Sequence, residues 1–119
     1  ALCPERYDDA TLIFVGLFHD LGKVGDGVEE NYVPNENDYG RRRGYLYEIN
    51  KKCVYMPNAE RSLYLLQEHG ISLTSEEYLA IRLSDGQYDE GNRSYRMREP
   101  DLAILLHIAD LWSTRQEKL

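Results

Sequence analysis

Residues 12–18, LIFVGLF, form a nearly continuous apolar run that stops at an ionisable pair, His19-Asp20. Asp8 or Asp9 ahead of the run can accept hydrogen bonds at the positive end of a helix dipole. Gly22 and Gly25 behind it break the helix. The pattern therefore predicts a helix through ATLIFVGLFHDLG, buried on most sides, with His19 and Asp20 at its C-terminal end. From Asp26 to Arg43 no apolar period survives, and the acidic, turn-rich stretch reads as an exposed loop. In GYLYEINKKCVYMP, Tyr45, Tyr47 and Ile49 alternate with other residues, and Asn50-Lys51-Lys52 can turn the chain back into Cys53–Met56, which predicts a β-hairpin.

A second helix is expected after Pro57, with Asn58 as its cap, Leu63, Tyr64 and Leu66 as its apolar stripe, and Gly70 as its left-handed end. Thr74 and Glu77 have capping-box spacing and open a third, which carries Tyr78, Leu79, Ile81 and Leu83 before Gly86. Pro100 suits the first turn of the last helix, where Leu102, Leu105, Leu106, Ala109 and Trp112 recur at three- and four-residue intervals. The fold class that emerges is mainly α, a helical bundle with a small hairpin insertion.

The 119 residues suffice for one core, so 1–119 reads as a single domain. No apolar run approaches the roughly 20 residues that cross a bilayer, and no basic segment precedes residues 12–18, so neither a membrane span nor a secretion signal is expected. Cys3 and Cys53 stand far apart with no zinc-ligand spacing, which fits reduced thiols and a cytoplasmic location. A formal charge of −7 and a pI near 4.9 oppose long-range steering toward a nucleic-acid polymer, although a small anion can still be held locally. Six of the ten tyrosines fall between Tyr32 and Tyr64, where they are expected to pack a hairpin and core while keeping a wet edge.

Adjacent side chains on a helix diverge by about 100°, so His19 and Asp20 can reach one cation only where the helix ends, as Gly22 provides. Imidazole and carboxylate suit a divalent ion, but two ligands hold one poorly. Asp110, set among Leu106, Ile108, Ala109 and Leu111, is costly to bury unless it is paired or metal-bound. The plain alternatives are a polar helix end for His19-Asp20 and a salt bridge to Arg115 or Lys23 for Asp110. His107 and His69 read as structural, and Arg41, Arg42 and Arg43 as a solvated run or a phosphate-gathering patch.

GLFHDLGK followed much later by LLHIADLWST resembles the HD superfamily of metal-dependent phosphohydrolases, helical proteins named for the His-Asp doublet. NAERSLYLLQEHGISLTSEEYLAIRLSDG is similar to the middle segment of the small bacterial and phage HD hydrolases, so the likeness runs from about Leu12 to Thr114. It implies an HD-domain helical bundle with His19, Asp20 and Asp110 as metal ligands. The ion would be one divalent metal: manganese, iron, nickel, zinc or magnesium.

Asp20 would also orient a water, and Lys23, with Arg41, Arg42 and Arg43, would face the phosphate. The family's upstream histidine has no counterpart in residues 1–18; it lies on a helix ahead of Ala1 or is absent. Asn58 and Ser84 stand where these hydrolases usually carry second-metal histidines, which leaves a mononuclear site. The implied function is hydrolysis of a small phosphate ester or nucleotide by a metal-activated water. The alternative is a catalytically degenerate HD domain that binds a nucleotide or a protein.

Overall fold

The computed structural model describes residues 4–118. It is mainly helical, with five α-helices and one two-stranded antiparallel sheet among those residues. Helix α1 (Asp9–Phe18) starts where the Asp8 carboxylate accepts from the Thr11 N–H at 2.8 Å. Strand β1 (Tyr32–Pro34), the short helix α2 (Asp38–Arg42) and strand β2 (Tyr47–Ile49) follow. Then come α3 (Asn58–Glu68), α4 (Ser75–Arg82) and α5 (Asp101–Glu117). At the head of α4 the Thr74 hydroxyl accepts from the Glu77 N–H, and the Glu77 carboxylate accepts from the Thr74 N–H in return. This is the reciprocal arrangement the spacing predicted, and it satisfies donors that the first turn of a helix leaves free. Asn58 is the first residue of α3 and makes no capping bond, while Gly70 ends that helix with φ 72°.

The core lies between α1, α3, α4 and α5, where Val15, Leu63, Leu66, Ala80, Ile81, Leu83, Leu102, Ala103 and Leu106 are buried together. Leu12, Phe14, Phe18 and Leu21 pack against it from α1 and the turn that follows. Helix α1 is less enclosed than its apolar run suggested. It rests on α4 and α5, so Val15 is 2% exposed while Ile13 and Leu17 remain 59% and 67% exposed. The outer side of α5 is open in the same way at Ile108, Leu111 and Trp112.

The sheet corrects the expected hairpin. Tyr47–Ile49 forms a strand, but its partner is Tyr32–Pro34, in the register Tyr32 to Ile49, Val33 to Glu48 and Pro34 to Tyr47. Residues 53–56 are not a strand, and the stretch read as an irregular loop supplies both β1 and α2. The reason is visible in two buried asparagines. Asn35 donates to the Tyr45 carbonyl at 2.7 Å, and Asn50 donates to the Glu30 carbonyl at 2.9 Å, which closes both ends of the pair with side-chain amides that no hydrophobic pattern reveals. The tyrosines expected to reach the core do not: Tyr32, Tyr39, Tyr45, Tyr47, Tyr55 and Tyr64 are all exposed, and Tyr7 and Tyr95 pack against the core instead. The arm is tied to the bundle by Arg61, a buried side chain on α3 that donates to the Val54 carbonyl at 2.6 Å.

Candidate metal centre

Helix α1 ends on the residues that its sequence marked. The His19 N–H still donates to the Val15 carbonyl, but Asp20 leaves the helix at φ −100°, ψ 8° and starts a 3-10 turn, Leu21–Val24. That bend removes the divergence of neighbouring helical side chains and lets His19 and Asp20 face the same point.

The bend is fixed from α3. Ser62, fully buried, accepts the Gly22 N–H at 2.7 Å, and its hydroxyl lies 2.9 Å from the His19 carbonyl and 3.0 Å from the Asn58 carbonyl, both acceptors. Gly22 sits so close to α3 that a Cβ there would fall 2.2 Å from the Asn58 carbonyl oxygen. Neither contact was foreseen; the only sequence signal was a serine inside an otherwise apolar helix face.

Helix α5 brings Asp110 to the same place. His19 Nε2 stands 3.4 Å from Asp20 Oδ2 and 3.6 Å from Asp110 Oδ1, and one donor atom from each residue lies within 4.8 Å of the others. The other ring nitrogen, Nδ1, is 2.9 Å from the Gly16 carbonyl. A carbonyl only accepts, so Nδ1 carries a proton, and it is Nε2, the nitrogen that would offer a lone pair to a cation, that faces the two carboxylates. Nε2 is buried and has no hydrogen-bond partner.

A proton shared with the carboxylates would draw them to about 2.7–2.9 Å, and they stand well outside that distance. The spacing instead approaches the roughly 3.3 Å edge of a tetrahedron built on bonds of about 2.0–2.1 Å. An orphaned imidazole nitrogen, correctly protonated on its far side and faced by two carboxylates, fits a divalent cation. His19, Asp20 and Asp110 could hold one.

A pocket of about 290 Å3 opens over the three, lined by His19, Asp20, Lys23, Ser84, Asp85, Asp110, Ser113, Thr114 and Glu117. Lys23 Nζ lies 3.4 Å from Asp20 Oδ2, so it and not Arg115 is the cation beside the triad, although it pairs with Asp20 and not with Asp110. Arg41, Arg42 and Arg43 do not line the pocket; they sit exposed around α2, out on the arm. Their proposed phosphate contact therefore finds no support in the geometry.

Ser113, Thr114 and Glu117 were missed. They stand three, four and seven residues beyond Asp110, the spacing that keeps side chains on one face of a helix, so the signal was there to be followed from Asp110. A larger cavity of about 310 Å3 is lined by Leu83, Met97, Ala103, Ile104, His107 and Ile108 among others. It holds none of the triad, and Glu99 is its one acidic lining residue. His107 belongs to its wall and His69 bonds the Leu65 carbonyl at the end of α3, so neither enters the triad.

Burial raises the Asp85 carboxyl above its ordinary value, and the nearby Asp89 and Asp20 add to the shift. A carboxyl raised on folding costs stability once it ionises: the cost is absent below the unfolded value and grows as pH rises through the folded one. Asp85→Asn is therefore expected to melt slightly higher than wild type at pH 7. The gain should shrink as pH falls toward 4, as measured by thermal denaturation across pH. A variant that melts lower at pH 7 would refute this.

No family model, curated protein or solved structure matches the chain. Among the described residues no helix is long and apolar enough to cross a membrane.

Proposed function

We propose that this chain is an HD-type phosphohydrolase domain that hydrolyses a small phosphate ester with a single divalent metal held by His19, Asp20 and Asp110. The observation that carries the reading is the buried, unpartnered Nε2 of His19 with two carboxylates facing it. A bound divalent ion would polarise a phosphoryl oxygen and lower the pKa of a water.

The chain's own groups supply the rest. The Gly16 carbonyl keeps the proton on Nδ1, so that Nε2 remains a donor of electrons. Asp20, half exposed, has a second carboxylate oxygen free to accept a hydrogen bond from the attacking water and align it with phosphorus. Lys23, 53% exposed on its side chain, can exchange Asp20 for a phosphate oxygen and offset charge as it develops there. The water oxygen bonds to phosphorus and gives up a proton, the ester P–O bond breaks with its electron pair on the leaving oxygen, and that oxygen takes up a proton and departs as the alcohol.

Phosphate release from a panel of phosphate esters, with added manganese, iron or nickel, tests the proposal. Turnover is expected to require the metal and to fall to background in Asp20→Ala. The catalytically degenerate reading draws on Ser84, which lines the pocket where the resemblance would set a histidine. It gains if metal binds but no ester is cleaved.

A further inference from the structure

We infer that the pocket over the triad selects phosphate esters whose remaining part is small, hydroxylated and amine-bearing, and disfavours those carrying a nucleobase. The inference rests on the phosphohydrolase reading and narrows its substrate.

Three features of the pocket lead to it. Apart from the His19 imidazole, which the cation would occupy at its edge, none of its nine lining side chains is apolar or aromatic. A flat heterocycle is ordinarily held by stacking or by apolar walls, and neither is offered here. The volume, about 290 Å3, is at the lower end for small-molecule sites, generally about 300–1,000 Å3. The charge is also unbalanced. Asp20, Asp85, Asp110 and Glu117 oppose Lys23 alone, since His19 is neutral when its Nε2 lone pair is used. A divalent cation still leaves the pocket negative before a phosphate dianion enters. A substrate that brings its own positive charge removes that opposition, whereas a neutral one does not.

The wall beyond the metal ligands has the matching chemistry. Asp85 and Glu117 lie outside the His19, Asp20 and Asp110 group but line the same pocket, so their carboxylates are available to an ammonium. Ser84 is only 7% exposed, and its hydroxyl makes no hydrogen bond to the described residues although it faces the pocket. Its hydroxyl is therefore free to bond a ligand group that enters the pocket. Ser113 and Thr114 add two more hydroxyls on the α5 side. Together these groups can accept from an ammonium and exchange hydrogen bonds with substrate hydroxyls.

The test is a comparison of initial rates on O-phosphoethanolamine, glycerol 3-phosphate and adenosine 5′-monophosphate with the manganese-loaded protein. The expected order of kcat/KM is the ethanolamine ester first, the glycerol ester about tenfold lower, and the nucleotide lowest. Asp85→Asn and Glu117→Gln should each narrow the gap between the first two, chiefly through KM. A nucleotide cleaved as well as the ethanolamine ester, or a gap that neither variant changes, would overturn the inference.

If no ester is cleaved, the phosphohydrolase reading fails by itself. Calorimetric titration of the same three compounds onto manganese-loaded protein then decides the pocket's preference: the same order sustains it, and equal or absent binding overturns it.

Discussion

Gly22→Ala is expected to lower the stability of the protein by about 3 kcal/mol or more and to take divalent-metal binding down with it. The added methyl has no room. It would meet the Asn58 carbonyl oxygen at 2.2 Å and the Ser62 backbone nitrogen at 2.9 Å, both parts of the α3 backbone and neither able to swing aside. The turn must therefore lift off α3, and in doing so it breaks the 2.7 Å bond from the Gly22 N–H to Ser62. His19 and Asp20 immediately precede this turn, so a displacement of even about 1 Å spoils a constellation that needs placement to roughly half that.

Two controls separate crowding from simple loss of a bond. Ser62→Ala leaves the Gly22 N–H buried and unpaired without any clash, and should cost about 1–3 kcal/mol. Gly16→Ala has open space around its new methyl and replaces a helical glycine, so it should gain a few tenths to about 1 kcal/mol. Urea denaturation of the three variants, followed by manganese titration, measures both effects. A Gly22→Ala protein as stable as wild type would show that the turn is not held where the structure places it.

These contacts also show which parts of the molecule could be read from sequence. The Asp8 cap, the Thr74–Glu77 box and the left-handed Gly70 are local devices, each written in a few neighbouring residues, and each forms as expected. The pairing of His19-Asp20 with Asp110 was legible for a different reason. It rested on the resemblance that the doublet and the late Asp110 carry together, whereas the expected burial of Asp110 does not hold, since its side chain is 44% exposed.

The strand pairing was not legible. Register between Tyr32–Pro34 and Tyr47–Ile49 is set by the buried amides of Asn35 and Asn50, and an asparagine in a polar loop carries no periodic signal. The aromatic content of the Tyr-rich stretch points to burial, whereas a two-stranded arm has no second layer to cover its tyrosines. Arg41, Arg42 and Arg43, which the resemblance sets at the phosphate and their run equally allows as a solvated patch, do not line the pocket and sit exposed around α2. Helix-face arithmetic carried forward from Asp110 would have given Ser113, Thr114 and Glu117 in their place.

Adding a divalent metal is expected to stabilise the wild-type chain by about 2.7 kcal/mol at a metal concentration a hundredfold above Kd, and Asp110→Asn should abolish that gain. With His19 in the neutral state that binds a metal, its Nε2 lone pair and the Asp20 and Asp110 carboxylates face one another with only Lys23 nearby to offset them. That arrangement is mutually repulsive, so the folded state without metal carries a cost that the unfolded chain, with the groups dispersed, avoids. Asp110→Asn keeps the shape but removes one of the negative charges. The variant should therefore melt as high as metal-free wild type, or slightly higher, and yet fail to rise when manganese is added.

Opposite signs in the two conditions are what distinguish a metal centre from an ion pair. If Asp110 were simply a salt-bridge partner of a protonated His19, its loss would lower the melting temperature with or without metal, and metal would raise both proteins little. Thermal denaturation of the two proteins, each with chelator and with manganese, contains all four measurements. A metal-induced rise of equal size in wild type and Asp110→Asn would remove Asp110 from the ligand set. Destabilisation of the variant in chelator would restore the salt bridge as its role.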